Sequence, residues 1–139
     1  MTGVAFDSTG RYLATSSRDK DARKWDVATG RTLRTFRGHS SIVSGVGFSS
    51  DGKWLVTAGP IKAGVWDATT GTDLAADRLY FVTSTAQLSS AAFAPNSQTI
   101  ATTSFDGTVR TYDCVLCGGL DRLVPEARAR LAALNRGRD

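Results

Sequence analysis

One unit recurs three times along this 139-residue chain, and that recurrence limits the fold more than any other feature. The first copy reads Val4-Ala5-Phe6, Thr9-Gly10, Tyr12-Leu13-Ala14-Thr15, Trp25-Asp26 and Thr29-Gly30. The second reads Val46-Gly47-Phe48, Asp51-Gly52, Trp54-Leu55-Val56-Thr57, Trp66-Asp67 and Thr70-Gly71. The third reads Ala91-Ala92-Phe93, Asn96-Ser97, Thr99-Ile100-Ala101-Thr102 and Tyr112-Asp113. Phe48 lies 42 positions after Phe6, and Phe93 lies 45 after Phe48. A period of this size means a stack of small units, each unable to bury its apolar face alone and each burying it on the next.

Within a unit, short apolar runs alternate with Gly, Asp, Asn and Ser, the pattern of antiparallel strands joined by tight turns. Composition agrees: the chain holds a single Glu, Glu126, against 30 Ser and Thr and 14 Gly, whereas a helical domain spends Glu on its exposed faces. Four short strands per unit are expected. The first ends near Phe6, Phe48 or Phe93; the second spans Tyr12 to Ser16, Trp54 to Ala58 or Thr99 to Thr103; the third ends at Trp25, Trp66 or Tyr112. The fourth is clear in the first unit, at Thr32 to Phe36. In the second unit it falls at Thr72 to Ala75 or at Leu79 to Thr83, the latter preferred for its strand-forming Leu79-Tyr80-Phe81-Val82. The fold class is all-β.

Gly38-His39, Val46-Gly47-Phe48-Ser49, Asp51-Gly52-Lys53, Leu55-Val56-Thr57 and Trp66-Asp67 together resemble a WD40 repeat, and the flanking units share the pattern over residues 3 to 113. The resemblance implies β-propeller blades, about three in an incomplete ring: residues 1–116 as a partial propeller, with repeats at about 3–39, 40–84 and 85–116, and 117–139 as a tail. It also implies a buried hydrogen-bond network in each blade. A His precedes the first strand, a Ser or Thr lies on the second, an Asp in the turn from second to third, and a Trp on the third. Matched position by position, the first unit supplies Thr15, Asp19 and Trp25, its His falling upstream of Met1. The second supplies His39, Thr57 and Trp66, but its shorter turn, Gly59-Pro60-Ile61, has no Asp. The third supplies Thr102, Asp106 and Tyr112, with Ser84 where the His would stand. No unit carries the whole network. Beside the same turns the family presents a commonly used interaction face, which here puts forward Arg18, Ile61 and Phe105 as partner-binding residues.

His39 is the sole histidine, so acid–base catalysis would have to rest on it, and its Gly-His setting before a strand favours a structural role instead. The sequence offers no paired carboxylates and no Gly-x-Ser-x-Gly elbow. The expectation is a protein that is not an enzyme, with no cofactor and no metal; the alternative is a propeller enzyme whose active site lies in missing blades. Cys114 and Cys117 form a C-x-x-C directly after the last repeat. One such pair is half a zinc site, and a redox pair would need a helix start in α/β surroundings, so two packed thiols are the preferred reading.

Leu120, Leu123, Val124, Ala127, Leu131 and Leu134 recur at helical steps, so residues 120–136 read as an amphipathic C-terminal helix, firm from Pro125 onward. A C-x-x-C followed by an Arg- and Ala-rich helix also resembles the tails of some bacterial WD40 proteins. The net charge of +4 comes from 17 Lys and Arg against 13 Asp and Glu, densest at Arg122, Arg128, Arg130, Arg136 and Arg138. Nucleic-acid binding through this tail is a further alternative, but ordinary solubilising charge is the preferred reading and nucleic acid is not the expected partner. No apolar run approaches the roughly 18 residues of a membrane span, so no membrane partner is expected. The start of the sequence lacks a signal-peptide pattern, and two cysteines make a poor disulfide framework, so the cytoplasm is the expected location.

Propellers close with about 4 to 8 blades. Fewer than three full units therefore call for missing upstream blades or for self-association to complete the ring. The preferred expectation is the C-terminal part of a larger bacterial signalling or regulatory protein, acting as a non-enzymatic scaffold for a protein or peptide partner.

Overall fold

The computed structural model describes residues 1–71, 86–114 and 117. Strands β1 (Gly3–Phe6), β2 (Tyr12–Ser16), β3 (Ala22–Asp26) and β4 (Thr32–Phe36) form one antiparallel sheet in chain order, blade 1. Strands β5 (Gly45–Phe48), β6 (Trp54–Ala58) and β7 (Ala63–Asp67) form blade 2; β8 (Leu88–Phe93), β9 (Thr99–Ser104) and β10 (Val109–Asp113) form blade 3. The third strand of every blade runs one residue past the expected aromatic, to Asp26, Asp67 or Asp113, and β9 runs one residue past Thr103. No α-helix occurs among the described residues. The fourth strand expected at Thr72 to Ala75 or Leu79 to Thr83, the position of Ser84, and the helix expected over 120–136 lie outside them.

The turns follow from the residues that the repeat places there. Between first and second strands the chain passes through the left-handed region at Gly10 (φ 72°), Gly52 (φ 71°) and Ser97 (φ 56°). Glycine takes that conformation without steric cost. Beside it, Asp7 accepts the Tyr12 N–H at 2.9 Å and the Thr9 hydroxyl at 2.5 Å. Burial raises the Asp7 pKa, but these hydrogen bonds outweigh it and hold the carboxyl below its ordinary value. After the third strand the repeat's Asp closes the next turn: Asp26 accepts the Thr29 N–H at 2.9 Å, and Asp67 accepts those of Thr69 and Thr70 at 2.7 and 2.9 Å.

Strand alternation gives each blade a large face and a small face. In blade 1, paired registers put Val4, Phe6, Leu13, Thr15, Arg23 and Trp25 on one side and Gly3, Ala5, Ala14, Ser16 and Ala22 on the other. Blade 2 repeats this, with Val46, Phe48, Leu55, Thr57 and Trp66 opposite Gly45, Gly47, Val56, Ala58, Ala63 and Val65. The core lies between blades. Ala5, Ala14 and Ala22 of blade 1 receive Val46, Phe48, Leu55 and Trp66 of blade 2, with Phe36 and Ala68 at the outer rim. Val56, Ala58, Ala63 and Val65 in turn receive Ala91, Phe93, Ile100 and Tyr112 of blade 3. Phe36 meets Trp66 edge to face, ring centres 5.7 Å apart. Fully burying a side chain such as Leu55 or Ile100 contributes about 1.5–3 kcal/mol.

The inner strands pack too closely for side chains. A Cβ on Gly45 would lie 2.9 Å from the Ser90 Cα, so glycine is required where blades 2 and 3 meet. Lys24 is buried at the junction of blades 1 and 2, where its ammonium donates to the Ala68 carbonyl at 3.1 Å and sits 4.1 Å from the Tyr12 ring centre. Desolvation lowers its pKa, opposed by Asp7 and Asp67.

The reading of Cys114 and Cys117 as packed thiols is corrected. Both are buried, but they are joined as a disulfide. Leaving β10, the chain turns so that the Cys117 N–H donates to the Cys114 carbonyl at 3.1 Å. That brings the two Cα atoms to 5.3 Å, within the span a disulfide bridges.

Candidate functional site

The buried network is most developed in blade 2. Thr57, completely buried at the centre of β6, joins His39 and Trp66: its hydroxyl lies 2.7 Å from His39 Nε2 and accepts the indole N–H of Trp66 at 2.8 Å. The hydroxyl also approaches the Gly64 carbonyl at 3.4 Å. Among the described residues, neither buried His39 Nδ1 nor the buried indole nitrogen of Trp54 has a hydrogen-bond partner. The reason lies in the turn. Gly59-Pro60-Ile61 brings no carboxylate to Nδ1, and a Cβ on Gly59 would fall 2.3 Å from it. Desolvation, reinforced by the charge of Lys62, lowers the His39 pKa from 6.5 to about 4, so the imidazole is neutral at neutral pH.

Blade 1 keeps one link of that network: Trp25 donates its indole N–H to Thr15 at 2.9 Å. In blade 3 Thr102 is buried and Tyr112 packs against the core, but no hydrogen bond between them occurs among the described residues. A phenol carries its O–H at the tip of the ring, whereas an indole carries its N–H on the five-membered ring nearer the backbone.

The network expectation is corrected at Asp19 and Asp106. Asp19 pairs with Arg23 at 2.7 Å and accepts the Asp21 N–H at 3.2 Å; Asp106 accepts the N–H and hydroxyl of Thr108 at 2.9 and 2.6 Å. Each closes its own exposed turn. No histidine of its own blade reaches either carboxylate, so the nearest donors in the turn take it. The Arg23 guanidinium lowers the Asp19 pKa to about 2.

Arg18, Ile61 and Phe105 all lie in turns between second and third strands, and all three are exposed, Ile61 by 59% and Phe105 by 72%. The turns themselves are tied down. The Val43 N–H donates to Ser17 at 3.1 Å, Leu88 to Pro60 at 3.3 Å, and Phe105 to Gln87 at 2.9 Å, so blade 2 is pinned to the turn of blade 1 and blade 3 to that of blade 2. Ser44 adds a side-chain bond to the Leu88 carbonyl at 2.7 Å. This end of the stack therefore presents a cation, an aliphatic and an aromatic group on held backbone. Sequence reasoning did not single out Gly64 or Lys24, although the alternation of β3 already put Lys24 on the same side as Ala22. Among the described residues no cluster of three His, Cys, Asp or Glu is arranged to hold a metal ion, and no helix is long and apolar enough to cross a membrane.

Stacked antiparallel blades, cores between neighbours and a Thr–Trp bond inside each of the first two define a β-propeller repeat protein. The WD40 family model (WD domain, G-beta repeat) matches residues 1–26, 30–69 and 78–113, and the chain belongs to that family. It is 46% identical over 57 residues to the Lissencephaly-1 homolog of Heterostelium pallidum, covering 41% of this chain and 13% of that protein. It is 44% identical over 61 residues to the nuclear distribution protein PAC1 of Arthroderma benhamiae, covering 43% of this chain and 13% of that one. The chain thus spans a small part of these relatives, and they lend the bacterial resemblance of the tail no support. In structure it matches the β-propeller domain of Cps50 (Swd1) from Myceliophteria thermophila with a TM-score of 0.69 at 26% identity, over 81% of this chain and 34% of that one.

Proposed function

We propose that this chain is a non-enzymatic protein-interaction scaffold, whose blades form part of a larger propeller ring and whose binding groups are Arg18, Ile61 and Phe105. The observation that carries this is the exposure of these three side chains on turns tied down by backbone hydrogen bonds, those of Arg18 and Ile61 to the next blade and that of Phe105 to Gln87 of its own blade. Apolar and aromatic groups held on rigid backbone lose little entropy on binding, and Arg and aromatics are favoured anchors. The one histidine supports the same reading: neutral, buried and bonded to Thr57, it serves the blade and not a reacting group.

Selection of a random peptide library against the wild-type chain and against an Arg18→Ser/Ile61→Ser/Phe105→Ser variant tests this. Peptides that bind the wild type and lose at least tenfold in affinity on the variant are expected. Equal affinity for both, or no enrichment on either, overturns the assignment. We place the protein in the cytoplasm, where reducing conditions open disulfides. The Cys114–Cys117 disulfide of the structure would then be the oxidised form of a pair that the cell keeps reduced; thiol trapping in the host cell is expected to find both thiols free, and a pair found oxidised there would move the protein elsewhere.

A further inference from the structure

At Lys24 the repeat exchanges a core valine for a cation. The matching residue of blade 2 is Val65, which is 1% exposed in the junction of blades 2 and 3; Lys24 lies in the junction of blades 1 and 2 and is 8% exposed. An ammonium in that position gives up hydration that a valine never had, so packing alone favours the valine. Its surroundings do not neutralise it. Among the described residues no carboxylate forms an ion pair with Lys24. Of the two acidic groups that act on it from further away, Asp7 is engaged by Thr9 and Tyr12, and Asp67 by the N–H groups of Thr69 and Thr70. The Tyr12 ring adds a π-face but no counter-charge.

A second cation stands directly opposite. Lys24 and Arg34 are register partners on β3 and β4, and like charges in that relation destabilise a sheet. Both reach to the turn that follows β7 and bond successive carbonyls, Lys24 that of Ala68 at 3.1 Å and Arg34, through Nε, that of Thr69 at 2.9 Å. With Leu33 these residues line an open cleft of about 340 Å³ on the outer flank of the junction. The remaining N–H groups of Lys24 and Arg34 have no acceptor among the described residues.

We propose that this cleft binds the carboxylate of an Asp or Glu side chain from a protein partner. An anion between the two cations relieves their repulsion and supplies the counter-charge that Lys24 lacks. The Nε bond to Thr69 leaves the Nη end of the guanidinium as the fork that meets two carboxylate oxygens. Leu33, 42% exposed, offers apolar contact to the methylenes of such a side chain, which a free inorganic anion could not use. The cleft sits beside the turn after β7, at the end of the blades away from the turns that carry Arg18, Ile61 and Phe105. Loss of either surface therefore leaves the other standing.

Fluorescence anisotropy with a labelled hexaglutamate peptide on the full chain tests this, with hexaglutamine, sodium phosphate and an oligothymidylate as competing probes. Hexaglutamate is expected to bind about tenfold more tightly than hexaglutamine, and Arg34→Gln and Lys24→Met are each expected to lose about that factor. Arg34 is exposed, so its variant should fold whatever becomes of Lys24→Met, and circular dichroism checks both. Arg37→Gln removes an equal charge outside the cleft and should bind as the wild type does. The chain has only four lysines, so labelling their Cε carbons with 13C gives an independent reading: the Lys24 signal should shift saturably, and those of Lys20, Lys53 and Lys62 should not. Absence of binding, equal affinity for the two peptides, equal losses in the Arg37 and Arg34 variants, an unmoved Lys24 signal, or tighter binding of phosphate or oligothymidylate than of hexaglutamate would each overturn the proposal.

Discussion

Blades 1 and 2 are written in nearly the same residues and live in different surroundings. Val4 and Val46, Phe6 and Phe48, Leu13 and Leu55, Thr15 and Thr57, Trp25 and Trp66 hold matching positions. In blade 2 they meet the small face of blade 1, and Trp66 keeps 2% of its surface; in blade 1 Phe6 keeps 61%. The repeat therefore specifies which way a side chain points, and the neighbouring blade specifies whether it is buried. The hydrogen bonds follow the same split. Thr57 joins two buried rings, whereas Thr15 joins one half-buried ring.

This contrast can be broken at several points. The largest effect is expected from Trp66→Ala, which opens a cavity at a closed junction and should cost about 3–5 kcal/mol. Trp25→Ala should cost less than half of that when both are unfolded in urea at concentrations where the chain is monomeric. Equal losses would show that the two blades do not differ in the way described. Next comes acid. His39 has its folded pKa depressed from 6.5 to about 4, so the unfolded chain binds the proton first as pH falls. Stability is then complete above pH 6.5 and declines down to pH 4, by about 3 kcal/mol in all. Blade 1 has no histidine, so His39→Gln should flatten this slope, and a slope that survives the substitution would place its origin elsewhere.

Smaller differences sharpen the comparison. Thr57→Val strands both the Trp66 N–H and His39 Nε2 in the core and should cost about 2–3 kcal/mol. Thr15→Val should cost about 1 kcal/mol, because Trp25 is only half-buried and water can reach it. Smallest of all is Asp19→Asn, in an exposed ion pair that solvent screens; its unfolding midpoint should be indistinguishable from the wild type.

Much of this was legible before any coordinates. The positions of Thr57, Trp66 and His39 within the repeat foretell their bonds, and Gly59-Pro60-Ile61 already says that no carboxylate will serve the imidazole. Asp19 and Asp106 were misread, because a turn carboxylate binds whatever donor is nearest, and in these turns that is Arg23 or Thr108 and not a histidine. The burial of Lys24 was half legible: alternation gives its side of the strand but not the Ala68 carbonyl, 44 positions away, that receives it.

By itself, the sequence determined the period, the strands, the turns and the two faces of every blade, because these rest on local spacing and on what each residue's backbone and side chain permit. Only the tertiary structure decided which faces are covered, that Cys114 and Cys117 bond, and that Phe48 packs half-buried against the core while Phe6 stands open. Burial depends on what lies across the junction, and alternation along a strand carries no record of its neighbour.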